Sequence, residues 1–154
     1  MDIKKLLKSF GYAFSGLKEC IKTEQNMRIH LSVASLIIYF ACFFGITKIE
    51  WAILLITIGL VIFAECVNTA IEALGDAITK NENKYIKVAK DISAGAVTVL
   101  AITSVVVGIG LFGDDEKIIK TLTYIFTNWC AVSFGAVIFL ADLVFICKKR
   151  KGDK

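Results

Sequence analysis

Residues 63–85 read FAECVNTAIEALGDAITKNENKY and run on directly from the apolar stretch WAILLITIGLVIFA at 51–64. Glu65, Asn68, Thr69, Glu72 and Asp76 fall at offsets of 3, 4, 7 and 11 from the first of them. At 100° per residue these offsets place all five on one side of a helix. A helix that begins as a membrane span and ends in three carboxylates and an amide decides the class of protein. If the span starts at Trp51, Glu65 lies about 21 Å and Glu72 about 31 Å along the axis, against a hydrocarbon core of about 30 Å. Glu65 is therefore expected inside the inner leaflet, with Glu72 at the surface. An acid at such depth is costly, and intramembrane acids commonly mark functional sites. Asn68 and Thr69 alone would read as glue between helices. Three acids go beyond that.

The rest of the chain fits a membrane setting. Of its 154 residues 56% are hydrophobic, the mean hydropathy is +0.70 and there is no proline. Apolar runs at about 31–46, 51–66, 92–112 and 122–147 give four expected spans, the first two short enough to need polar, interfacial ends. Ahead of them, Leu6, Leu7, Phe10, Phe14, Leu17 and Ile21 recur at helical spacing among lysines. With no continuous apolar core and no small-residue cleavage site, this segment is expected to be a retained amphipathic surface helix, not a signal peptide. The expected fold is all-α: that surface helix plus four transmembrane helices.

Charge sets the orientation. The net charge is +4. Lysine and arginine gather in the first 28 residues, at 80–90 and in the tail CKKRKGDK, whereas the remaining connections are GITKIE and the acidic GDDEK. The positive-inside rule places the N-terminus, the 77–91 loop and the C-terminus in the cytoplasm. Juxtamembrane lysines need no nucleic acid to explain them, and none is expected as a partner. The five cysteines and the lone His30 show no metal-ligand spacing, and neither a disulfide nor a zinc site is expected. GIGLFG at 108–113 fits GxGxxG but lacks the strand before and the helix after that a dinucleotide site needs, so it reads as small residues for helix packing. No P-loop is present. Asp142, inside the fourth span, is expected to snorkel or pair with another helix.

Two further groups converge on the 65–76 face. Glu24 ends the surface helix in KTEQNMR, and Lys90 with Asp91 opens the third span in VAKDISAGAV. Carboxylates at a helix edge, Glu24 and Glu72, can hold Mg²⁺, which favours oxygen ligands and shares them with phosphate. A lysine at the same level can meet phosphate. A glutamate at lipid depth, stripped of water, is suited to take a proton from an alcohol presented by the bilayer. Together these describe phosphoryl transfer from a Mg-nucleotide to a lipid alcohol. Two other classes fit parts of the pattern. One is a four-helix proton-coupled transporter of the small multidrug type, which expects its glutamate at the midplane and has no use for Glu24 or Lys90. The other is a non-catalytic membrane assembly protein, which would tolerate Glu65→Gln.

ECVNTAIEALGD followed by AKDISAGAV resembles the signature of the small prokaryotic diacylglycerol kinase and undecaprenol kinase family. FGYAFSGLK in the surface helix and the 14-residue step from Asp76 to Lys90 extend the likeness over about residues 4–112. The resemblance implies Glu65 as general base, Glu24 and Glu72 as Mg²⁺ ligands, and Asn68 and Asp76 as supports of the site. Tyr12, Glu24, Glu72, Lys90 and Asp91 would contact ATP. It further implies a homotrimer with sites shared between protomers, in the bacterial cytoplasmic membrane. Residues 1–112 would form the kinase core, and 113–154 an additional transmembrane helix with a basic tail. Lys5 stands where the well-known diacylglycerol kinase form has Arg, His30 replaces Glu, Ala94 replaces Ser, and Asn81-Glu82-Asn83 replaces Glu-Tyr-His. RIH at 28–30 resembles Gram-positive members, several of which phosphorylate undecaprenol, and favours that lipid over diacylglycerol.

Overall fold

Five of the six helices start where a side chain satisfies their first free N–H groups, the second helix being the exception. The computed structural model describes residues 2–79 and 81–147. Six helices follow in order: α1 (Ile3–Thr23), α2 (Gln25–Phe44), α3 (Lys48–Ile78), α4 (Lys84–Phe112), α5 (Asp115–Thr127) and α6 (Trp129–Cys147). No strand occurs among the described residues. Asp2 accepts from the amide of Lys4, Asn83 from those of Tyr85 and Ile86, and Asp114 from that of Lys117. Thr47 and Glu50 form a reciprocal capping box at the start of α3. Gly45 ends α2 at φ 75° and ψ 39°, a left-handed conformation suited to glycine.

Helices α2, α3, α4 and α6 are each long and apolar enough to cross a membrane. The chain is an integral membrane protein with α1 as its amphipathic N-terminal helix. The expected run 122–147 proves to be two helices. Asn128 ends α5 and caps α6, its side-chain oxygen accepting from the amides of Cys130 and Ala131. α5 is amphipathic, with Thr121 and Ile125 buried and Asp115, Glu116 and Lys120 exposed, so only Trp129–Cys147 spans. Lys80 and the basic tail 148–154 lie outside the described residues. An added Cβ at Gly108 or Gly110 would meet nothing within 4 Å among the described residues, so neither glycine is needed for packing between these helices of the chain.

α3 and α4 form the most extensively packed pair, and α2 packs more extensively on α6 than on α3. Both pairs are antiparallel. Along α3 and α4, Asn68 meets Ser93 and Asp76 meets Lys90. Along α2 and α6, Arg28 meets Phe145, Ser35 meets Asp142 and Tyr39 meets Ala131. One end of the molecule thus gathers the α1–α2 corner, the end of α3, the start of α4 and the end of α6. The opposite end is an aromatic cluster in which Phe40 and Phe44 pack on Phe112, and Phe43 on Tyr124.

Candidate active site

A single residue, Glu24, makes the corner between the surface helix and the first span. It caps the C-terminus of α1 and the N-terminus of α2 in an extended conformation, φ −100° and ψ 121°, and its amide donates to the Cys20 carbonyl at 2.9 Å. The corner carries its carboxylate to the level of Glu65 and Glu72, and both Glu24 and Glu72 lie near enough to Glu65 to act on it electrostatically.

Glu65 is 1% exposed, and neither of its carboxylate oxygens has a hydrogen-bond partner among the described residues. Its surroundings, in contrast, are tied together. The Asn68 amide donates to Glu72 Oε1 at 3.1 Å, and the Ser93 hydroxyl donates to Asn68 Oδ1 at 2.6 Å. Thr69 Oγ1 donates to the Glu65 carbonyl at 2.9 Å, which leaves the Cys20 thiol to donate to Thr69 Oγ1 at 3.1 Å. That bond ties α1 to α3. Burial pushes the Cys20 thiol up to about 11, partly offset by its bond to Thr69. At pH 8 the thiolate population is therefore very small. Maleimide is expected to modify Cys20 at least about tenfold more slowly than an unperturbed thiol at that pH. Mass-spectrometric labelling rates check this, and Thr69→Val should leave the thiol less well held.

Two open hollows meet at Asp76. One, of about 570 Å³, is bounded by α1 and α3 and carries Glu19, Glu24, Glu72 and Asp76, with no lysine or arginine among its described lining residues. The other, of about 930 Å³, is lined by Asp76, Thr79, Lys84, Lys87, Lys90 and Asp91, among others. Lys90 Nζ reaches across from α4 to Asp76 at 2.5 Å. Gly75 makes that reach possible: a Cβ there would lie 2.8 Å from both Ile86 Cγ2 and Lys90 Cε.

Of the residues singled out from the sequence, Glu24, Glu65, Asn68, Glu72, Asp76 and Lys90 come together. Asp91 lines the basic hollow. Tyr12 is 67% exposed on α1 and lines neither hollow. Ser93 was not anticipated. The family pattern drew attention to Ala94, where a serine is absent, yet the neighbouring Ser93 supplies a hydroxyl to Asn68. Its signal was available, because 90, 93 and 97 share the α4 face that packs on α3. Lys84 and Lys87, counted for topology alone, also face the basic hollow.

A membrane-embedded helical unit whose α3 carries a buried carboxylate, unpartnered among the described residues, and, further along, acidic and basic hollows meeting at Asp76 has the makings of a phosphotransferase acting at the bilayer surface. Comparison with known proteins bears this out. Residues 11–112 match the prokaryotic diacylglycerol kinase family, and the chain belongs to that family. It is a lipid kinase. The undecaprenol kinase of Bacillus subtilis strain 168 is 35% identical over 111 residues, 72% of this chain and 90% of that protein. The diacylglycerol kinase of Synechocystis is 38% identical over 104 residues, 67% of this chain and 59% of that protein. That of Escherichia coli K12 is 28% identical over 102 residues, 66% of this chain and 84% of that protein. No solved structure matches.

Proposed function

We propose that the chain transfers the γ-phosphoryl group of ATP to the hydroxyl of a membrane lipid, with undecaprenol favoured over diacylglycerol. The observation that carries the reading is Glu65. No group among the described residues hydrogen-bonds its two buried oxygens; a partner from outside would compensate them, and an alcohol proton fits an acceptor-only group. Glu65 takes that proton as the lipid oxygen bonds to the γ-phosphorus, and the bond from phosphorus to the bridging oxygen of ADP breaks. Asn68, anchored by Ser93, orients Glu72, while Asp76 holds Lys90 beside the hollow that would take the phosphates. Lys90 and Asp91 would face the nucleotide there, whereas Tyr12, outside both hollows, would meet it only at its exposed edge.

The acidic hollow suits a magnesium ion. Among the described residues no group of three or more His, Cys, Asp or Glu side chains could hold a metal by itself. Mg²⁺ ordinarily takes one or two carboxylates and completes its shell with water and phosphate. Glu24 and Glu72 would hold it, and when bound it supplies charge neutralisation on the phosphates.

The likeness to the Bacillus undecaprenol kinase, which spans nearly all of that protein, and the His30 variant support a polyprenol. Lysine placement supports a cytoplasmic site in a bacterial cytoplasmic membrane, with both termini inside. We take residues 1–112 as the kinase core and 113–154 as an addition, with a homotrimer sharing its sites between protomers. The test is phosphate transfer from labelled ATP with Mg²⁺ in mixed micelles, offering undecaprenol and diacylglycerol separately at equal mole fraction. Faster product from undecaprenol is expected. Product from diacylglycerol alone would overturn the lipid assignment, and product from neither would overturn the reaction.

Gly75 gives a sharper check on the nucleotide side. Gly75→Ala forces Ile86 and the Lys90 arm aside, and overpacking of this kind costs about 1–3 kcal/mol. The expected result is a KM for ATP raised about tenfold, with the KM for lipid unchanged. Steady-state kinetics with each substrate varied in turn measures both.

A further inference from the structure

We infer that α6 is a brace for the active site: it fixes the start of α2, and through it the Glu24 carboxylate, against α3. The kinase reading above supplies what Glu24 does; the brace itself rests on geometry. α6 lies outside the stretch that matches the family, which ends at residue 112. Even so, α2 packs on it more extensively than on α3.

Three polar contacts run down the α2–α6 seam. Tyr39 donates its phenol proton to the Ala131 carbonyl at 2.7 Å, and the close approach needs Gly135, where a Cβ would lie 3.0 Å from the Tyr39 hydroxyl. Ser35 donates to Asp142 Oδ2 at 2.6 Å. Arg28, 4% exposed and one helical turn beyond Glu24, donates from its guanidinium to the Phe145 carbonyl at 3.5 Å. Phe145 lies near the end of the described part of α6. The seam thus runs from Tyr39 to Arg28, its two short bonds at Tyr39 and Ser35 and a longer one at Arg28, and so reaches the end of α2 that carries Glu24. Glu24 itself is held on its other side by a one-residue corner with α1, and α1 packs sparsely on both α2 and α3. A carboxylate at membrane depth that meets a serine, and no cation in any ion pair among the described residues, is poorly compensated unless that bond is kept, and so Asp142 acts as a positioning residue for Glu24 through α2.

The experiment uses the full-length chain with its five cysteines replaced by serine and a nitroxide label on Gln25→Cys, beside the corner. Asp142→Ala removes the acceptor for Ser35, whereas Asp142→Asn keeps a side-chain oxygen in the same place. In Asp142→Ala the label should become measurably more mobile, and in the unlabelled chain the KM for Mg·ATP should rise about tenfold at nearly unchanged kcat. Asp142→Asn should restore both readouts. Unchanged label mobility and KM in Asp142→Ala overturn the brace, as does a fall in kcat with KM constant. Should Asp142→Ala fail to fold, Ser35→Ala breaks the same bond from the other side and is judged by the same outcomes. A wild-type chain without activity on any lipid overturns the kinase reading alone, because the label comparison still decides the brace.

Discussion

Glu65→Gln is expected to lower kcat by about 10²–10⁴-fold, the range over which a positioned general base contributes. The amide has the shape of the carboxylate and needs no larger cavity, so helix packing around it stays intact. The substitution also removes a buried carboxylate that has no hydrogen-bond partner among the described residues, which favours the folded state. The expected signature is therefore a dead enzyme with a thermal midpoint at or above that of the wild type. Binding of ATP, measured by equilibrium dialysis, should change little. Activity within a factor of a few of wild type would remove Glu65 from the role of base.

The second large effect is expected at Glu72. In Glu72→Gln the side-chain oxygen still accepts from the Asn68 amide, as Oε1 does at 3.1 Å in the native chain. What is lost is the charge. Changing a group that merely supports a metal ligand typically costs 10–100-fold in affinity, so loss of a ligand's charge should raise the Mg²⁺ concentration for half-maximal activity by at least about tenfold. Excess Mg²⁺ should recover much of the rate. Glu24→Gln should behave in the same way, and Asp76→Asn should not, since Asp76 answers to Lys90. A fall in maximal rate with unaltered Mg²⁺ dependence would place Glu72 in the network around Glu65 and outside the metal site.

The part of this site that lies on one helix was legible because helical periodicity is written in the sequence. The offsets of 65, 68, 69, 72 and 76 fix a face whatever the helix packs against. They do not fix how far that face is covered, and the structure grades it from Glu65, 1% exposed, and Asn68, 5% exposed, to the exposed Asp76. Contacts between helices were harder to anticipate. Ser35 and Asp142 are 107 residues apart, and neither pattern nor propensity says which faces of α2 and α6 meet. Ser93 was passed over because a family pattern directed attention one position along, to Ala94, while local spacing already pointed to 93. The boundary at Asn128 was passed over because an apolar count runs through a single polar residue. A capping residue after an amphipathic stretch that opens with Asp115 and Glu116 was the better guide.

α3 has 31 residues and is therefore about 46 Å long, some 16 Å more than a bilayer core. The surplus makes the helix a ruler that runs through the membrane and out of it. Glu65 is marked on its greasy part, while Gly75 and Asp76 are marked on its wet part. A thicker bilayer would slide along that ruler, drawing the lysine pocket into the headgroups. A thinner one would lift Glu65 toward water, where a long-chain alcohol does not follow. Mismatch of this kind costs fractions of a kcal/mol per ångström, enough to shift how often the two substrates meet in register. Activity reconstituted across lecithins of increasing chain length should accordingly pass through a maximum. The organism's control of its own membrane thickness would then be, unintentionally or not, a throttle on the enzyme.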